Sequence, residues 1–142
     1  MKNWTVILSL VALMLLGSCG DKKDDPGFTS AAGIWTYETP DGKIGVDFEL
    51  KQDGSSWSVV NQVIRVEGTK YNAEVQASGI APPDIGSIRI NANDSKAVYA
   101  YFILFPGAKV SDDFKEIRVP GVTYTWPHNK TNQLTDVIIK RQ

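Results

Sequence analysis

Residues 44–51 read Ile-Gly-Val-Asp-Phe-Glu-Leu-Lys, and within them Val46, Phe48 and Leu50 alternate with Asp47, Glu49 and Lys51. Successive side chains of an extended strand point to opposite faces, so one face here is apolar and the other charged. This is the pattern of a strand with one side on a core and one in water. The same period recurs on both sides of it. Val60, Ile64 and Val66 share a face, interrupted by Gln62; Tyr71, Ala73, Val75 and Ala77 alternate with Asn72, Glu74 and Gln76. Ile88 and Ile90, then Ile117 and Val119, mark short strands, followed by Val122-Tyr124-Trp126 and by Val137-Ile139. Residues 97–105 (AVYAYFILF) are apolar on both faces and read as a central strand covered on two sides. Val110–Lys115 (VSDDFK) has room for one helical turn. No apolar period of 3.6 residues runs beyond two turns after residue 33.

Turn chemistry separates these runs, at Pro40-Asp41-Gly42, Asp53-Gly54, Glu67-Gly68, Asn93-Asp94-Ser95, Pro106-Gly107 and Pro127-His128-Asn129. Strands recurring about every 8–12 residues with such turns indicate an all-β antiparallel domain. Either one closed barrel or a two-sheet sandwich satisfies the spacing.

The chain has 142 residues and a formal charge of −1, which suits one domain and offers nucleic acid no general attraction. One cysteine and one histidine exclude an intrachain disulfide framework and every zinc pattern needing several such ligands. No cofactor motif is present: no phosphate-cradling glycine loop precedes a helix, and Asp112-Asp113 and Asp24-Asp25 lack calcium-loop spacing.

Residues 1–18 (MKNWTVILSLVALMLLGS) carry one Lys, no acid and a broken apolar run from Val6 to Leu16. This is the form of a secretory signal, and it falls short of the roughly 20 apolar residues that span a bilayer. Leu16-Gly17-Ser18-Cys19 resembles the lipobox of bacterial lipoproteins. The resemblance implies lipidation of the Cys19 thiol and cleavage before it, leaving 124 residues and a net charge of −2. Several acyl chains would anchor the product stably, where a single chain gives marginal binding. The charged segment Gly20–Gly27 reads as a tether within 19–30, ahead of a domain at 31–142. Its Lys23-Asp24-Asp25 resembles the acidic export signal of Bacteroidetes surface lipoproteins, which implies an outer-membrane protein exposed at the cell surface. The periplasmic face of that membrane is the alternative.

Gly33-Ile34-Trp35, followed by Gly42, the strand at 44–51 and Asp53-Gly54, resembles the opening of lipocalin-like (calycin) domains. In that superfamily a Gly-x-Trp strand closes one end of the barrel and its indole packs beneath a basic side chain from the chain's end. The resemblance assigns these structural parts to Trp35 and Arg141. The Thr-Asp-Tyr turn of lipocalins is missing.

A serine nucleophile requires a base, and the one histidine, His128, sits in a turn with no Gly-x-Ser-x-Gly element in the chain. Asp47 and Glu49 share a strand face with Lys51 and read as a solvated surface, although their spacing also suits a carboxylate pair. The expectation is therefore a non-enzymatic binding module for a small apolar or glycan ligand, with Tyr99 and Tyr101 on one face of 97–105 lining a pocket. Trp126 beside His128 at a hairpin tip is the candidate exposed contact. The alternative is an interaction subunit of an outer-membrane assembly, and an envelope hydrolase is a remote third.

Overall fold

The computed structural model describes residues 27–94, 98–126 and 130–142, and the side chains of residues 27–92, 100–126 and 130–142. These residues form ten strands: β1 (Gly33–Glu38), β2 (Ile44–Asp53), β3 (Ser56–Val66), β4 (Thr69–Asn72), β5 (Glu74–Ala81), β6 (Asp84–Asp94), β7 (Val98–Leu104), β8 (Ala108–Val110), β9 (Glu116–Thr125) and β10 (Thr131–Arg141). All ten lie in one antiparallel sheet rather than the two of a sandwich, in the order β4-β3-β2-β1-β10-β9-β7-β6-β5, with β8 between β6 and β9.

The two ends of that order, β4 and β5, are neighbours in the chain, separated only by Ala73. Gln62 Nε2 on β3 donates to the Ala73 carbonyl at 2.6 Å, and β3 also packs against β5 and β6. Likewise β7 and β8 continue one another across Phe105–Gly107 and share both neighbours, β6 and β9. With each of these two pairs counted once, eight strands follow an up-and-down path, and the first, β1, pairs with the last, β10.

The inner face carries one cluster that includes Trp35, Phe48, Phe102, Ile44, Leu50, Ile64, Ile85, Ile88, Ile90, Leu104, Ile117 and Ile139, all essentially without solvent contact. Val46, Phe48 and Leu50 point into it, as the alternation at 44–51 requires. On β3 the inward residue is Val59, whereas the sequence pattern favours Val60. The reason is a bulge. The β2–β3 register shifts between Asp47 and Glu49, and Asn61 opposite it has φ +52. One extra residue flips the parity of the strand, so Val59 precedes the bulge inward and Ile64 and Val66 follow it inward. Asparagine tolerates that left-handed backbone better than most residues.

Two further expectations change. The runs at 117–119 and 122–126 belong to one strand, β9, which passes through Pro120-Gly121. There the inward set moves from Val119 paired with Val137 to Val122 paired with Leu134, and Asp136 facing the kink has φ +53. Gly121 permits it, because a Cβ would lie 2.8 Å from Phe105 Cδ2. The strand at 97–105 is covered on one side only. Ala100, Phe102 and Leu104 are buried, and Tyr101, Ile103 and Phe105 lie half-exposed on the other face.

Candidate functional site

At the end of the sheet where residues 27–32 lead into β1, a concavity of about 370 Å³ opens between four segments. Thr29–Ala31 form one wall, Trp57 a second, the Pro82-Pro83 turn a third, and Val110–Asp112 with Phe114 the fourth. The volume is within the range of small-ligand sites, which run from about 300 to 1,000 Å³.

Each wall has a local cause. Trp57 begins β3 just after the Gly54 turn, in register with Gln52, and its ring packs half-buried against the core. The Pro82-Pro83 turn links β5 to β6 and receives the Val110 N–H on Pro83 O at 2.8 Å. Phe114 sits in a tight turn organised by the Ser111 hydroxyl, which donates to Asp113 Oδ1 at 2.6 Å and accepts from the Lys115 and Glu116 amides. Phe114 N–H closes the turn onto Ser111 O at 2.9 Å, and its φ of +55 is the left-handed region that a bulky residue rarely enters. The cost, of order 1–3 kcal/mol, is imposed by the surrounding bonds and aims an aromatic ring into the concavity. These same bonds hold the Asp113 carboxyl below its ordinary pKa, the Ser111 hydroxyl contributing most.

The Thr29–Ala31 wall is fixed by Arg141, near the end of the last strand. Arg141 Nη1 donates to Ser30 O at 2.6 Å and Nη2 to Ala32 O. Its Cζ stands 4.1 Å from the Phe28 ring centroid and 5.6 Å from that of Trp35, whose Nε1 donates to Ala31 O at 3.1 Å. Burial pulls the Arg141 pKa below its ordinary value. Gly33, with φ +143, leaves the space that this guanidinium fills, since a Cβ there would collide with it.

Of the residues that line the concavity, Trp57, Thr29 and Asp112 make no side-chain hydrogen bond to any described residue. Aromatic and proline walls with a few unengaged donors and acceptors fit a small amphipathic molecule, the apolar faces supplying contact area and the polar groups orientation.

The residues singled out from sequence are distributed differently. Tyr101 is on the outer face, its Oη 3.2 Å from Thr131 Oγ1 and its ring 5.8 Å from the Arg89 guanidinium. The inward positions of β7 belong to Phe102 and Leu104 because these pair with the buried Ile90 and Ile88. Tyr99 is in register with Asn93, and its side chain lies outside the described set. Trp126 is half-buried against the core rather than exposed at a tip, with its N–H donating to Lys130 O and its carbonyl accepting from Asn132 Nδ2. His128 and Cys19 lie outside the described residues. Asp47, weighed as half of a carboxylate pair, pairs with the Arg65 guanidinium and accepts from Thr36 Oγ1 at 2.6 Å, while Glu49 accepts from Asn61. Among the described residues no three of His, Cys, Asp and Glu gather to hold a metal.

Trp57 and Phe114 were the walls sequence reasoning passed over. The signal was Ser111 followed two residues on by an acid, which marks a side-chain-bonded turn rather than a helix start. No protein-family model matches the chain, and no curated protein or solved structure shows a match to it.

Proposed function

We propose that this chain is a lipid-anchored outer-membrane lipoprotein whose 31–142 domain is a single lipocalin-like barrel, and that it binds a small apolar or glycan ligand without chemical turnover. Barrel closure is supported by the pairing of β1 with β10 and by the one-residue link between β4 and β5, the two ends of the strand order. An eight-stranded barrel either fills its interior with side chains or holds one small ligand there. Trp35, Phe48 and Phe102 in the central cluster favour the filled case for the part of the interior they occupy. Binding is therefore assigned to the rim. The observation that carries it is the tether-side concavity, with Trp57 and Phe114 as its aromatic walls and unengaged polar groups between them. The anchor reading follows from the lipobox at Leu16–Cys19, and the surface-exposed face of the outer membrane is preferred for the acidic Lys23–Asp25 segment.

Native mass spectrometry of the protein purified from its producing cell tests the binding reading. A retained small molecule, lost on Trp57→Ala with the fold intact by circular dichroism, is the expected result. A bare mass throughout, with no change in tryptophan fluorescence on adding saccharides or lipids, would refute it. Anchoring has a separate test: Cys19→Ala should abolish lipid labelling and release the protein from membranes.

A further inference from the structure

The seam between β1 and β10 is joined by only two register pairs, Trp35 with Arg141 and Thr36 with Lys140, plus the Gln142 N–H donated to Ile34 O at 3.0 Å. Beyond Lys140 the strands part. Residues 131–138 of β10 pair with β9 on one side and with no described strand on the other. Backbone groups of an antiparallel strand alternate between its two neighbours. Since the Gln142 N–H turns toward β1 and the Arg141 N–H toward Lys115 O, the backbone groups of Ile138 face the gap. Glu38 would be its partner, and no pair forms.

What surrounds the gap is suited to a polypeptide. A hollow of about 310 Å³ lies at the fork, lined by Thr36, Tyr37, Glu38, Arg65, Ile138 and Lys140. The exposed large apolar side chains among the described residues are Ile34 at 48% and Ile138 at 42%, and both flank this seam on its outer face. Lys140 makes no ion pair among the described residues. Residues 131–138 hold one charge, Asp136, and no proline, so the edge has little of the lysine and proline protection common on exposed edges.

We propose that this edge of β10 receives an extended strand of a partner protein, which adds to the sheet by main-chain hydrogen bonds. The incoming strand would place an apolar side chain against Ile138 and an acidic one beside Lys140. Strand addition takes its affinity from the backbone and its specificity from alternate side chains. A second copy of this chain is a poorer occupant. Two β10 edges pairing about a two-fold axis would point the tether ends of the two domains in opposite directions. The ten residue steps from Cys19 to Thr29 reach at most roughly 35 Å, about the length of β10 itself, so with the strands upright on a membrane both anchors would enter it only with one tether fully extended. That preference rests on the anchor reading; the unpaired edge does not.

The test uses the full chain in detergent micelles and a synthetic peptide, acetyl-Thr-Val-Thr-Val-Glu-Val-amide, as the probe strand. Hydrogen exchange read by mass spectrometry should slow at least tenfold across 131–138 with peptide present. A version N-methylated at alternate residues, which keeps the side chains and loses the donors, should bind at least tenfold more weakly. Ile138→Ser, at an exposed position, should weaken the unmodified peptide about threefold or more. Equal binding of the N-methylated peptide, protection elsewhere in the sheet, or no binding overturns the proposal. So does dimerisation in micelles that protects 131–138 without the peptide. A missing ligand at the Trp57 concavity would leave all of these outcomes unchanged.

Discussion

At Trp35 and Arg141 the first and last strands are held by register pairs, a stacked guanidinium and two bonds to the carbonyls of Ser30 and Ala32. Three residues further along β1, at Glu38 opposite Ile138, the same strands make no pair, and the interior there is filled by Tyr37, whose ring meets Phe102 at 5.6 Å. The difference shows where the seam gets its stability. A backbone ladder of two pairs contributes little by itself, and the closed end is secured instead by the Arg141 side chain, which is bonded to the Ser30 and Ala32 carbonyls and stacked on Phe28 and Trp35. Charged groups bonded to partly buried carbonyls are worth more than neutral bonds, about 1.5–3 kcal/mol. The open end relies on aromatic packing. Burial raises the Tyr37 and Tyr124 hydroxyl pKa values, and neither phenol has a hydrogen-bond partner among the described residues.

The sharpest way to break the contrast is Trp35→Ala. A fully buried indole at the closed end should cost about 3–5 kcal/mol. Urea unfolding should show it as a midpoint lowered by more than about 1 M, given slopes of about 1–3 kcal/mol per molar. A loss under 1 kcal/mol would mean that the closed end does not depend on this ring.

Arg141→Met comes next. It keeps the stem and removes the cation and both carbonyl bonds, with an expected loss of about 1–3 kcal/mol. Proteolysis or exchange should become faster in 28–32 in particular. Arg141→Lys should recover only part, because an ammonium cannot serve both carbonyls with a planar fork. Uniform weakening of the whole sheet with no local effect at 28–32 would contradict the clasp.

At the open end, Ile138→Ser should change stability by no more than about 0.5 kcal/mol, as exposed surface substitutions do. A loss above 1 kcal/mol would show that Ile138 is covered in the folded protein.

The smallest effect is in acid. Asp41, at the β1–β2 turn of the open end, accepts from Thr39 Oγ1 at 2.6 Å and from the Lys43 amide, and its pKa is lowered, the Thr39 bond being the main cause. Asp113 does the same at the other end. A carboxyl whose folded pKa lies below its unfolded value of about 3.9 stabilises the fold above that value. The contribution is lost as pH falls through the folded pKa. The double change Asp41→Asn and Asp113→Asn should therefore flatten the loss of stability below about pH 4, and an unchanged acid limb would show that these turns do not matter. Comparing the two single changes tells which end opens first.

Much of this was legible beforehand. Alternation at 44–51 placed Val46, Phe48 and Leu50 inside, and the turns at Gly42, Gly54 and Gly68 occur where turn chemistry puts them. The bulge at Asn61 was hidden because alternation reports parity only while register is kept, and the kink at Pro120-Gly121 because the inward parity changes on β9 and β10 together, opposite the left-handed Asp136, while their register is kept. The two-sided apolarity of 97–105 misled for a related reason: a half-covered outer face tolerates Tyr101 and Ile103, so composition does not say which face is inward. Trp57 on β3 and Phe114 in the turn before β9 lie far apart in the chain, and nothing local signals that both line one concavity.

The amino-acid sequence by itself determined the all-β class, the positions of most turns and the inward residues of the regular strands. These follow from local chemistry: the two-residue period of a strand and the backbone demands of Gly, Pro and Asp. Only the tertiary structure decided that one sheet brings its first strand to its last, that β4 and β5 occupy its two ends, and that the seam holds at Arg141 and parts at Ile138. Strand order and seam geometry depend on twist, bulges and contacts between residues more than 100 positions apart, such as Arg141 with Ser30, and no local pattern encodes them.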